Sequence, residues 1–171
     1  MTLDQLRAIM PLAGNRAGLF LAPLNDTMIE FHISTPARQA SFLSQVAHES
    51  GQLRWVRELA VGDAYEGRLD LGNTQPGDGR RYKGRGLLQV TGRDNYKACG
   101  FSLGLDLISH PELLELPEYA ARSAGWFWDT KNLNALADTG DQVKVTRRIN
   151  GGTRGLAERL ALFDAARKVL W

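Results

Sequence analysis

Residues 47–58 read AHESGQLRWVRE, and they hold two carboxylates nine positions apart, Glu49 and Glu58. Two carboxyl groups in different surroundings can divide proton chemistry between them, one giving a proton while the other, ionised, activates water. On an unbroken helix nine residues turn about 900° and rise about 13.5 Å, which would send the pair to opposite faces. Gly51 relieves this, because a glycine just past a helix end can take the left-handed conformation and reverse the chain. A carboxylate in the last turn faces the negative end of the helix dipole, and apolar neighbours would also disfavour its ionised form. Glu49 is therefore expected to act as general acid and the better-solvated Glu58 as general base. The alternative for the same residues is an exposed helix end, with Glu58 paired to Arg54 or Arg57. His48-Glu49 also starts like a zinc-binding helix, but the position four residues on is Gln52, so the second imidazole is missing. No metal site and no cofactor is expected.

The elements that must position this pair follow from length and pattern. With 171 residues and 43% hydrophobic content, the chain can close one sizeable core, read as a single catalytic domain over 1–171 with two lobes. Thr2 and Gln5 have the spacing of a capping box for a first helix ending near Pro11. Two short helices are expected between residues 16 and 33, broken around Pro23 and the Asn25-Asp26-Thr27 cluster. Thr35 followed by Pro36 predicts the start of a third helix, with Ala40, Leu43 and Ala47 on its stripe and its end at Gly51. From Gly62 to Gly92 glycine is too dense for a regular helix, so loops or a small hairpin shaping a site are expected. After Pro117 the pattern is helical again, with Leu156, Leu160 and Phe163 sharing a face of the last segment. The fold class is mainly α, with at most a small β element.

Composition narrows the setting. Cys99 is the only cysteine, so no internal disulfide forms, and a buried, inert thiol in a reducing cytosol is expected. The start, MTLDQLRAIM, lacks the basic patch and apolar stretch of a secretory signal, and no apolar run approaches the roughly 20 residues of a membrane span. A soluble monomer made in the cytoplasm, without membrane insertion, is expected. The net charge of +2 is weak ground for nucleic-acid binding. The densest basic run, Arg80, Arg81, Lys83 and Arg85, is read as a rim for an acidic glycan.

Taken in order, AHESG, the Arg-Glu pair at 57–58, RRYKGRGLLQVTGRDNY at 80–96 and RRINGG at 147–152 resemble glycoside hydrolase family 19. That family holds chitinases and related bacteriophage endolysins, and DAYEGRLDLGNTQPGDG between the motifs is similar to the phage and bacterial lysozyme-type branch. The resemblance runs from about residue 22 to about residue 165 and implies a lysozyme-like, two-lobed helical fold around a substrate cleft. It implies that Glu49 is the proton donor, Glu58 the general base, and Thr91, in Gln-Val-Thr, a hydroxyl that holds the attacking water. Gln89, Asn95, Tyr96 and Asn150 would bind sugar, and Arg159 would lie near the base. Many plant members carry an acidic residue shortly after Asn-Gly-Gly, where this chain has Thr153 and Arg154.

The expected reaction is hydrolysis of β-1,4 glycosidic bonds with inversion, the two carboxyl groups lying roughly 6.5 to 9.5 Å apart. Peptidoglycan, cut between N-acetylmuramic acid and N-acetylglucosamine, is the expected substrate, reached in the periplasm after release from the host cytoplasm. Chitin is the second choice. A non-catalytic glycan-binding relative and a lytic transglycosylase are the readings from other classes. Trp55, Tyr65, Tyr82 and Trp126 could stack on sugar rings, though core or wall roles are the commoner use of such residues.

Overall fold

The computed structural model describes residues 1–171, and they form nine α-helices with no extended sheet. Helix α1 (Leu3–Ile9) starts at the capping box, in which Thr2 and Gln5 satisfy each other's backbone amides. Helix α2 (Arg16–Glu30) is continuous, contrary to the expected break, with Pro23 inside it. Pro23 removes the amide that would bond the Leu19 carbonyl. Leu19 is 60% exposed, so water can take that carbonyl, while Phe20, Leu24, Thr27 and Met28 keep one buried stripe across the proline. Burial of that stripe outweighs the lost bond.

Helix α3 (Pro36–Glu49) begins where the Thr35 side chain accepts from the Arg38 amide, 3.2 Å away. Every residue from Ala40 to Ala47 is buried, so α3 is the central helix of the molecule. It packs against α9 (Leu156–Leu170), and α2 packs against α6 (Pro117–Thr130). On α9 the buried face is Arg159, Leu162, Phe163 and Ala166, whereas the expected Leu160 is 37% exposed. Between α6 and α9 lie α7 (Leu133–Asp138) and α8 (Gln142–Asn150). No helix is long and apolar enough to cross a membrane.

The glycine-rich segment holds two 3-10 turns (Asp63–Tyr65 and Leu69–Leu71), the short α4 (Asp78–Arg81), and antiparallel bridges joining Arg57 to Arg85 and Arg85 to Val90. In place of a hairpin, side chains satisfy its backbone. The Glu66 carboxylate accepts from the amides of Gly77 at 2.7 Å and Gly79 at 2.8 Å. Asn73 donates to the Tyr65 carbonyl at 2.8 Å and accepts from the Arg93 amide at 2.9 Å. Buried Asp78 pairs with the Arg93 guanidinium through two bonds, at 2.7 and 2.8 Å. That guanidinium holds the Asp78 carboxyl below its usual range despite burial. With its donors and acceptors matched, this irregular segment is fixed.

Two hydrophobic clusters result. The larger joins α1, α2, α3, α6 and α9, and the smaller gathers Tyr82, Val90, Tyr96, Cys99, Leu103, Leu107 and Leu114 around α5 (Arg93–Leu103). Cys99 is fully buried there, and burial pushes its thiol up to about 12.

Candidate active site

Glu49 closes α3, and the chain reverses immediately after it. The Gln52 amide donates to the Ala47 carbonyl at 2.6 Å and the Gly51 amide to His48 at 3.3 Å, the two bonds of a Schellman ending. Ser50 Oγ donates to the Val46 carbonyl at 2.6 Å and accepts from the Leu53 amide at 2.8 Å. The bend is broader than one glycine. Gly51, Gln52 and Leu53 have φ of 56°, 57° and 68°, three successive residues in the left-handed region. That region costs roughly 1 to 2 kcal/mol for each non-glycine residue. Full burial of Leu53 and the bond from the Leu12 amide to Gln52 Oε1, at 2.9 Å, hold the two side chains there.

The Glu49 carboxylate does not meet the expected apolar wall. Its Oε1 lies 2.5 Å from Nη2 of Arg159, which is 2% exposed in its side chain, against 29% for Glu49. Arg159 also donates to Gln45 Oε1 at 2.5 Å and to the Arg154 carbonyl at 3.1 Å. Arg159 was expected beside Glu58, and it is Glu49 that it pairs with. The reason is register: Gln45 and Glu49 stand one turn apart on the face of α3 that meets α9. Beside them His48 Nδ1 lies 2.7 Å from Glu158 Oε2, a second tie between the same two helices.

Glu58 is held by backbone. Its Oε2 accepts from the Gly84 amide at 2.8 Å, and its own amide donates to the Gly84 carbonyl at 3.0 Å. Neither expected partner claims it, because Arg57 pairs with Glu115 at 3.4 Å and the Arg54 guanidinium lies over the Trp55 ring. A Cβ on Gly84 would stand 2.8 Å from Glu58 Oε2 and 2.6 Å from Gln89 Oε1, so only a hydrogen fits where these side chains converge. Tyr65 adjoins the same carboxylate. Burial pushes its phenol up, and the negative charge of Glu58 adds to that.

Gln89 and Thr91 alternate with buried Val90, whose backbone exchanges both bonds with Arg85, so the two side chains emerge on one side. Asn95 is exposed and turns its amide back to the Thr91 carbonyl at 2.8 Å. Tyr96 cannot touch a sugar: it is 0% exposed, donates to the Lys83 carbonyl at 2.6 Å and accepts from Arg85 at 3.0 Å. It is a pillar beneath residues 83–85, because the ring belongs to the smaller core and only the hydroxyl needs a partner. Asn150 spends its amide on its own loop, accepting from Gly152 at 2.8 Å and donating to the Arg154 carbonyl at 3.2 Å. That carbonyl also receives Arg159, so Asn150 supports Glu49 at one remove.

The basic run forms no charged rim. Arg80 pairs with Asp63, Arg81 donates to the carbonyls of Ile108 and Ser109, Lys83 to that of Ala60, and Arg85 pairs with Glu115. Of the aromatic candidates, Tyr82 is buried and Trp55 is 46% exposed. Sequence reasoning missed Gln45, Gly84 and the His48–Glu158 tie. Gln45 alone left a signal, as an amide at i−4 from Glu49 inside an apolar helix. No group of three or more His, Cys, Asp or Glu side chains is placed to hold a metal ion.

A surface depression between α2 and α6 is lined by neither Glu49 nor Glu58.

A family model described as "Chitinase class I" matches residues 37–145. A Haemophilus influenzae protein described as containing a glycosyl hydrolase family 19 domain is 34% identical over 159 residues, covering 75% of this chain and 78% of its own. An endochitinase of Arabidopsis thaliana is 40% identical over 114 residues, covering 66% of this chain and 39% of its own, so the chain spans well under half of that relative. Among solved structures, chitinase C from Streptomyces griseus superposes with a TM-score of 0.82 at 23% identity, over 99% of this chain and 76% of that one. A class IV chitinase from Zea mays gives 0.70 at 24% identity, over 90% and 80%. At those identities the superpositions establish a shared fold.

Proposed function

The chain belongs to glycoside hydrolase family 19, the class I chitinase family, and from that premise we propose that it hydrolyses the β-1,4 bond between N-acetylmuramic acid and N-acetylglucosamine in peptidoglycan. Glu49 gives its proton to the glycosidic oxygen as the bond to C1 breaks. Water held by the Thr91 hydroxyl attacks C1 from the opposite face, and Glu58 takes the proton that this water sheds. The products are a new hydroxyl on the leaving sugar and a reducing end of inverted configuration. Arg159 then faces the carboxylate that Glu49 has become, and Gly84 keeps Glu58 turned toward the water. Gln89 and Asn95 offer amides to sugar hydroxyl and N-acetyl groups.

The observation that carries the choice of peptidoglycan is the stretch DAYEGRLDLGNTQPGDG, which resembles the lysozyme-type branch and whose Glu66, Asn73 and Asp78 hold it as one fixed body next to Glu58. In this reading the protein works as an endolysin, made in the host cytoplasm and acting on the wall in the periplasm after release. Chitin is the second reading, favoured by the likeness to plant endochitinases.

Clearing of purified cell walls measured beside release of soluble chitooligosaccharides separates the two, and activity confined to chitin would overturn the proposal. Mass spectrometry of the muropeptides should find a water added at each cut; anhydro sugars would replace hydrolysis with transglycosylation.

A further inference from the structure

The chain's net charge of +2 is unevenly placed. Residues 131–154 contain five cations (Lys131, Lys144, Arg147, Arg148 and Arg154) and two carboxylates (Asp138 and Asp141), so this segment exceeds the whole-chain charge and the remainder is net negative. Arg38 takes Asp138 at 2.6 Å, and Lys144 takes Asp141 at 3.3 Å. Arg147 and Arg154 have no carboxylate partner, and Arg148 donates only to the Lys131 carbonyl, at 3.2 Å, which leaves its charge uncompensated. All three are exposed.

Geometry gathers these charges on one side. Positions 144, 147, 148 and 151 lie on one face of α8, while Gln142, Val145 and Thr146 are buried on the other. With Leu136 this face lines a shallow depression. Like charges at i, i+3 and i, i+4 repel one another, a cost that a docked anion removes. Of the cations at 80–85, by contrast, Arg80 and Arg85 each have a carboxylate partner, and only Arg81 and Lys83 rely on carbonyls. The chain that leaves this helix leads to the site: Asn150 ends α8, and the loop that follows reaches Gly155, which lies against the His48 ring.

We propose that the basic face of α8 is a docking surface for the carboxylates of the peptide stems on a muramyl glycan strand. Chitin carries no such groups, whereas peptidoglycan bears a carboxylate-rich peptide on every second sugar. The proposal deepens the peptidoglycan reading and rests on it. The surface would secure the polymer beside Glu49 and make wall binding sensitive to salt, as unpaired surface cations are.

The test is cosedimentation of the Glu49→Gln protein with purified sacculi, with and without Arg147→Gln/Arg148→Gln, using native sacculi and sacculi whose carboxyl groups have been amidated. The double substitution should weaken binding to native sacculi by about tenfold at low salt. It should have no effect on amidated sacculi, and in the otherwise wild-type protein it should leave hydrolysis of neutral chitooligosaccharides unchanged. Arg147→Gln alone, which keeps the Arg148 bond to Lys131, should give a smaller loss in the same direction and covers failure of the double variant to fold. Equal binding by all forms, or wild-type binding indifferent to amidation, overturns the docking surface. Carboxylate-dependent binding by a protein that cuts chitin and no wall would uphold the surface while removing the substrate reading.

Discussion

Arg159 on α9 sets one guanidinium nitrogen 2.5 Å from Glu49 Oε1 and another 2.5 Å from the amide oxygen of Gln45, so a single planar fork spans one turn of α3. Glu49 is thereby fixed from a helix remote in sequence. Glu58 has no such partner and takes its position from the Gly84 backbone.

Replacing Arg159 by alanine removes the buried half of this pair. Truncating a fully buried pair costs roughly 3 to 5 kcal/mol, and the 29% exposure of Glu49 lowers that to about 2 kcal/mol. Urea denaturation should report the loss. Arg159→Lys keeps the charge but not the fork, and should lower kcat by at least about tenfold, because a lysine cannot hold Gln45 and Glu49 together. A lysine variant with full kcat would mean that the fork does not set the acid.

Glu49→Gln and Glu58→Gln should each lower kcat on wall substrate by about 10² to 10⁴, with thermal midpoints near that of the parent. An aryl glycoside, whose leaving group needs little protonation, tells the two apart. On it Glu49→Gln should recover most of its loss and Glu58→Gln should recover none. The reverse pattern would exchange the two roles.

Gly84→Ala places a methyl 2.8 Å from Glu58 Oε2 and 2.6 Å from Gln89 Oε1. One of the two side chains must move, and a misplaced base costs on the order of 100-fold in rate. Steady-state kinetics should register a fall in kcat of that order. Unchanged kcat would show that Glu58 does not depend on this contact.

These expectations indicate what the sequence could and could not reveal. The starts of α1 and α3 were legible because Thr2, Gln5, Thr35 and Pro36 act on amides within three residues. Glu49 and Glu58 stand out in the sequence as chemistry, since two glutamates around a helix-ending glycine suggest an acid and a base. Arg159 was assigned to the wrong carboxylate because its partner is decided by how α9 lies on α3. Arg80, Arg81, Lys83 and Arg85 look like a charged surface in one dimension, yet each finds a carbonyl or carboxylate that only tertiary structure brings near. Tyr96 sits in a motif shared with sugar-binding positions, and its depth in the smaller core has no local signal. Pro23 misled for the opposite reason, as a strong local signal overridden by burial of α2.

Acid should weaken the glycine-rich segment first. Arg93 lowers the Asp78 carboxyl in the folded protein, so the stability it contributes is present above the ordinary range near 3.8 and is lost as pH falls through the depressed value. Limited proteolysis between pH 7 and pH 2, read by cleavage within residues 62–86, should already be faster for Asp78→Asn at neutral pH and lose most of its pH dependence in that variant. Matching acid profiles for the two proteins would rule the pair out as the cause.

Alkali should act through Cys99. An unfolded thiol ionises near 9, whereas the buried one is pushed up to about 12, so stability holds below about 9 and declines as pH rises through that interval. Cys99→Ser should flatten the decline. The native thiol should also resist a disulfide exchange reagent until denaturant is added; rapid labelling of folded protein would contradict its burial.

The partner that seats Glu49 comes 110 residues later in the chain. A ribosome must therefore translate nearly the whole message before Glu49 is seated, and a product that stops short of α9 lacks the guanidinium that holds it. Late assembly of this kind ties completion of the Glu49 seat to completion of the fold, through nothing more than the order of residues within one reading frame.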